Sequence, residues 1–443
     1  MQEEEESGKA SAKRQKLQHH EGESGGPSAA NDGSAVCSSI VCQTTAKQLQ
    51  AKLATAPSIY GTTTADVIQV LHIWDKQFAH VSHMSSFLRT ESRLLHETEE
   101  CIVALHHFKE WWDKQREQST SSSTSITEPL TVVDVGCGKG YYSMFLSYLI
   151  GFVWNKQDTT TTTTRRRPIQ SIILIDKTSR QEINWSHLDT ANQMAQVEGR
   201  PHLELWDATN LHHYDALVDR LQARRTRLAI TGVHLCKMLS PALISLVNGL
   251  RDICDYCCLA PCCLPRSVTK GKCRLAIYQY ETPEVRQRRL QFKAQRQVSR
   301  TCALCGSNQH VASACPTAPP SDTNDDARTQ VLHQAMQTLP CWKCGTLGHF
   351  AAQCTLAEKQ RVTPRARTWI VPAPPAPPTD KNDNNNNPFE MYCRVLAQAF
   401  EGKTTQIVHA GLVNDKVAKH GREDDKKNWN GQRKSVFLVA TTD

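Results

Sequence analysis

Long apolar runs are missing from this chain of 443 residues. No stretch approaches the roughly 18 apolar residues of a membrane span, so no membrane partner is expected. No secretory leader is expected either, because Met1-Gln2 leads straight into Glu3 to Glu6. With no leader, the eighteen cysteines are not read as a secreted disulfide framework. The expectation is a reducing intracellular compartment, nuclear or cytoplasmic. Residues 1–58 are poor in aromatics and rich in Ser, Gly, Glu and Gln, which predicts a disordered tail. Acidic residues are absent from Val285 to Ala318, although the formal net charge of the whole chain is only +8. Arg286, Arg288, Arg289, Lys293, Arg296 and Arg300 cluster in that window. Two readings stand for them, a phosphate-attracting stripe and a solvated helix face. Lys13-Arg14-Gln15-Lys16 is open in the same way, between a nuclear localisation signal and an ordinary basic cluster.

Six of the cysteines do have a pattern. Cys341, Cys344, His349 and Cys354 follow the spacing C-x2-C-x4-H-x4-C, and Cys302, Cys305, His310 and Cys315 repeat it upstream. Three thiolates and one imidazole at such separations suit a closed tetrahedral zinc site. Gly345 and Gly348 allow the tight turns between ligands. Both copies resemble the CCHC zinc knuckles of nucleocapsids and cellular RNA-binding proteins. The resemblance implies two zinc ions and an RNA partner, single-stranded or structured like tRNA. It also makes Trp342 a base-stacking platform. The first copy has Ala303 at the aromatic position and Gln309 before the histidine, so it serves RNA, structure or a protein contact.

The length allows about two or three domains. Beyond residue 58, Thr64 is placed to cap a helix carrying Val67, Leu71, Trp74, Phe78, Val81 and Leu88 on one face. Leu95, Ile102, Leu105 and Phe108 predict a second helix, which completes a helical extension over 59–118. Ser119 to Ser125 is a flexible break. Short apolar runs then alternate with helical stretches, the pattern of a parallel sheet covered by helices. The runs are Thr131–Val135, Ser171–Ile175, His202–Trp206, Leu228–Thr231 and Tyr256–Ala260, within a core at 128–273. A basic segment (274–300), the two knuckles (301–356) and a low-complexity linker (357–387) follow. Residues 388–443 predict a helix near Phe389–Phe400 and strands at Gln406–Ala410 and Ser435–Ala440. These read as the end of the same sheet, with the knuckle region inserted before them.

Val132-Val133-Asp134-Val135-Gly136-Cys137-Gly138-Lys139-Gly140 is a buried strand running into a glycine-rich turn and an apolar helix. Such a turn lets backbone approach a ligand at the helix N-terminus. Asp176 closes the next strand with a carboxylate where a ribose diol would lie. The G-x-G-x-G spacing departs from the dinucleotide pattern, which places a dehydrogenase third among the functions weighed. The arrangement resembles motif I of class I S-adenosylmethionine-dependent methyltransferases. The fold this implies is α/β, a Rossmann-like seven-stranded domain with a helical N-terminal extension and an inserted zinc-knuckle region. By the same resemblance, Asp134, Gly136, Gly138 and Gly140 line the methionine end of the cofactor. Asp176 binds its ribose and Asp207 its adenine.

Gly232-Val233-His234-Leu235-Cys236 and Ala260-Pro261-Cys262-Cys263 are similar to signatures of a narrower group, which contains acceptor-stem tRNA ribose methyltransferases. Lys237 and Leu264-Pro265 depart from that group. His234 is the candidate catalytic residue, to orient or deprotonate an acceptor, against the plainer role of a structural hydrogen bonder. Cys262 and Cys263 line a pocket wall, or belong with Cys254, Cys257, Cys258 and Cys273 to another metal site. Two functions remain, an active RNA methyltransferase and a non-catalytic RNA-binding or assembly protein that retains the fold.

Overall fold

The computed structural model describes residues 33–55, 59–78, 81, 84–88, 90–121, 128–155, 167–176, 184–194, 200–206, 214–236, 238–263, 274–287, 366–370, 388–410 and 436–442. Seven strands form one sheet: β1 (Leu130–Val135), β2 (Ile169–Ile175), β3 (His202–Trp206), β4 (Arg227–Cys236), β5 (Cys254–Cys263), β8 (Thr404–His409) and β9 (Val436–Thr441). Their order is β3-β2-β1-β4-β5-β9-β8. The first five are parallel, and β9 runs antiparallel to both β5 and β8. The α/β class and the seven strands therefore agree with the sequence.

Helices cover both faces, which is why the strands read as unbroken apolar runs rather than alternating ones. Val132, Ile172, Leu203, Ala229 and Tyr256 lie in register across five strands and share one core. Their neighbours Val133, Ile173, Ile230 and Cys257 point into the other. The first core is completed by the N-terminal helices α1 (Gly33–Thr55), α2 (Gly61–Phe78), α3 (Met84–Leu88) and α4 (Glu91–Ser121), and by α5 (Tyr141–Tyr148). A π-helical turn, Leu149–Trp154, prolongs α5. Between β2 and β3 lies α6 (Ser186–Met194). The second core takes in α7 (Tyr214–Gln222), α8 (Leu239–Gly249) and α9 (Pro388–Gln398).

The N-terminal helices are part of the domain rather than an appendage. Trp74 stacks on Phe145 at 4.4 Å between ring centroids. Trp154 donates its indole N–H to Asp66 at 2.9 Å. Trp111 packs on Tyr256 of β5. None of these helices, nor any other among the described residues, is long and apolar enough to cross a membrane.

Three expectations are corrected here. Part of the tail predicted to be disordered to residue 58 is α1, with Val41, Cys42, Ala46 and Leu49 buried. Small residues hide that stripe from composition, and the buried Thr45 hydroxyl is satisfied by the Val41 carbonyl at 2.8 Å. Thr64 does not cap α2. Its N–H and hydroxyl both bond the Tyr60 carbonyl, at 2.8 and 2.9 Å, one turn inside the helix. That helix ends at Phe78, short of Val81 and Leu88. The segments 274–300 and 357–387, a basic segment and a linker in the sequence, also hold regular elements. Each contributes a strand, β6 (Arg274–Tyr278) and β7 (Ala366–Ile370), to an antiparallel ribbon. Both knuckle motifs lie in sequence between β6 and β7, outside the described residues. The ribbon is tied to α8, where the Tyr278 N–H donates to the Ser245 hydroxyl at 3.0 Å.

Candidate active site

The parallel strands β1 and β4 are neighbours at the centre of the sheet, and connections leave them toward opposite faces. A crevice at their carboxyl ends is the position at which such sheets hold ligands. After Val135 the chain passes through Gly136, Gly138 and Gly140 at φ of 69°, 57° and 79°. An L side chain at any of the three would be strained. Packing adds to this at two of them. A Cβ on Gly136 would stand 2.6 Å from Leu235 Cδ2, and one on Gly140 would stand 2.6 Å from Leu174 Cδ2. Gly138 has nothing within 4 Å of the corresponding point, so the middle of the loop faces open space.

The loop is fixed by hydrogen bonds. Gly136 N–H donates to the Ile175 carbonyl at 2.7 Å. Gly138 N–H donates to Asp176 Oδ2 at 3.0 Å, which ties the loop to the end of β2. His187 of α6 bonds the Lys139 carbonyl through Nε2 at 2.8 Å, so that nitrogen carries the proton. The ring of His187 stacks on Phe87 at 4.4 Å, and Phe87 in turn stacks on Tyr141 at 4.7 Å. Beneath the loop, the buried Asp134 accepts a 2.7 Å bond from the Ser143 hydroxyl. Burial drives its carboxyl up to about 7, against the Ser143 bond, which holds it down.

At the other rim, β4 loses register with β5 between Gly232 and Leu235, and His234 there has φ 64°. Its ring turns toward the N-terminal helices and its Nε2 contacts Glu100 of α4. His96, one turn earlier on α4, places Nε2 3.4 Å from the other Glu100 oxygen. Behind His234 the sulfurs of Cys236 and Cys262 are 2.6 Å apart across β4 and β5. Cys262 also lies against the His234 carbonyl at 3.6 Å.

The structure thus brings together Asp134 of β1, the loop glycines Gly136, Gly138 and Gly140, and Asp176 at the end of β2, and Leu235, next to His234, packs against Gly136. Asp207 lies outside the described residues, as do all eight knuckle ligands. The residues around the loop suit an elongated ligand with a sugar diol, since they offer open space, exposed backbone and a carboxylate. Among the other cysteines, Cys254 and Cys257 point into one core and Cys258 into the opposite one. Burial raises all three thiols, Cys254 to about 11 and Cys258 to about 12. They do not converge on a metal.

Of the basic stripe only Arg286 falls among the described residues. Arg286 bonds Asp219 of α7 at 3.0 Å and lies 3.6 Å from Asp215. Its charge is used inside the fold, by acidic partners that local charge counting does not see. Sequence reasoning missed Ser143, His187, His96 and Glu100. Of these, only the His96–Glu100 helical spacing left a signal to find.

Residues 113–266 match the model of a family described as a methyltransferase domain. Residues 339–356 match the zinc knuckle, a nucleic-acid-binding module, and that span holds Cys341, Cys344, His349 and Cys354. No curated protein matches the chain. The first match spans the last part of α4 and all of β1 to β5, including the glycine loop and His234. One stretch of the chain is therefore similar to a methyltransferase domain and another to a zinc knuckle.

Proposed function

We propose that the protein is an S-adenosylmethionine-dependent methyltransferase acting on RNA, a tRNA-like molecule in the first instance, with two zinc knuckles that present the substrate. The observation that carries this reading is the loop from Gly136 to Gly140, with three left-handed glycines and open space at Gly138. Asp134 and the loop backbone would hold the methionine end, Asp176 the ribose and Asp207 the adenine. Bound there, the cofactor supplies an electrophilic methyl group on a sulfonium. The chain's own task is placement, because in-line geometry provides much of the rate in such transfers. His234, at the rim beside the loop, orients the acceptor or takes its proton. Cys236 and Cys262 form the wall behind it.

The knuckle ligands are three thiolates and one imidazole in each set, a donor combination that suits zinc. Trp342 would stack on a base. Incubation of the full-length protein with methyl-tritiated cofactor and size-fractionated total RNA tests the reading, and label should enter one RNA class. Trp342→Ala should weaken RNA binding by about 1–3 kcal/mol. It should leave the salt dependence of binding nearly unchanged, because no phosphate contact is lost. Label that enters protein and no RNA would refute the substrate assignment.

A further inference from the structure

The rim of the site holds a constellation that a transfer of methyl from a sulfonium does not require. Glu100 is buried on α4, and each of its oxygens faces an imidazole: Oε1 lies 3.4 Å from His96 Nε2, and Oε2 meets His234 Nε2. The three ligand atoms lie within 4.8 Å of one another. His96 and Glu100 are one helical turn apart, so α4 presents both from one face. His234 arrives from the sheet, and its backbone is held at φ 64°, one of two non-glycine residues with positive φ among the described residues. Strain of this kind persists where the surrounding structure over-determines a functional side chain. Two neutral imidazoles and one carboxylate form a donor set for a first-row divalent ion with coordination positions left open. The His234 side chain is 39 % exposed, so the cluster is reachable from solvent. His96 and Glu100 precede the matched methyltransferase span, which begins at residue 113.

We propose that His96, Glu100 and His234 bind one divalent first-row metal ion, shared between the N-terminal helices and the sheet. Resting on the methyltransferase reading, the ion's role is to bind an oxygen of the acceptor beside the glycine loop and acidify it, so that its proton leaves to solvent as the methyl group arrives. His234 then fulfils the first of its two roles, orienting the acceptor through the ion.

Manganese is the probe, because thiolate knuckles already filled with zinc take it poorly. Mn2+ titrated into zinc-loaded full-length protein, followed by electron paramagnetic resonance, should show one bound ion per chain with nitrogen couplings from imidazole. His96→Ala, Glu100→Gln and His234→Ala should each weaken binding by about tenfold or more. Cys341→Ser, which removes a knuckle ligand, should leave Mn2+ affinity as it was. Thermal unfolding of each variant verifies that it is folded, and Glu100→Gln preserves the shape of the side chain. No bound Mn2+, or equal affinity in the parent and all three folded variants, overturns the site. The two histidines and Glu100 would then be a hydrogen-bonded cluster only. Mn2+ binding without any cofactor binding supports the metal site and overturns the methyltransferase reading instead.

Discussion

The two rims of the crevice are built by opposite means. At the end of β1 the chain removes side chains, and three glycines in the left-handed region leave backbone and open space. At the end of β4 it keeps a side chain where glycine would be easier, and His234 sits at φ 64° against a carboxylate from a distant helix. The first rim is a surface for something to lie on, and the second is a side chain held against the N-terminal helices. One is marked by local glycine spacing and then fixed by β2 and α6. The other exists only because α4 packs across the sheet.

Filling the first rim should give the largest effect. Gly140→Ala meets both a left-handed backbone and the Leu174 methyl at 2.6 Å. The cost should be about 2–5 kcal/mol of unfolding free energy in denaturant titration. Gly138→Ala meets only the backbone term, about 1–2 kcal/mol, because nothing stands within 4 Å. Equal losses at the two positions would mean that Leu174 does not set the shape of the loop.

The second rim should respond with the reverse preference. Within a strand, Ala ordinarily stabilises relative to Gly by roughly 0.5–1 kcal/mol. At His234 the positive φ should invert this, so that His234→Gly unfolds later than His234→Ala by about 1 kcal/mol. The ordinary order would show that the strained backbone is not held by the fold.

A smaller effect tests the floor beneath the first rim. The Asp134 carboxyl is raised from 3.8 to about 7, chiefly by burial. Between those values the folded protein binds a proton that the unfolded chain has released. Stability from this group is therefore full below the unfolded value and is lost as pH rises through about 7. Asp134→Asn should flatten that part of the stability–pH curve, as read from melting temperatures across pH 4 to 8.

The same contrast explains how much was legible in the sequence. The strands were visible because burial on both faces leaves continuous apolar runs, as in Thr131–Val135 and Ser171–Ile175. The predicted fourth run stopped at Thr231, whereas β4 continues to Cys236, because Gly232 and His234 do not look like strand residues. The glycine turn could be read from adjacent residues, since its three glycines stand at alternate positions. The Glu100 contact could not, since it depends on how α4 lies on the sheet. Arg286 teaches the same lesson in charge, because its acidic partners on α7 lie far from it in sequence.

Calorimetric titration of the full-length, zinc-loaded protein with S-adenosylmethionine tests the central claim most directly. The account predicts saturable binding of one cofactor per chain. It further predicts that Gly138→Arg, which places a bulky cation in the open middle of the loop, abolishes that binding while the variant remains folded. No binding by the parent, or equal affinity in the folded Gly138→Arg protein, would contradict it.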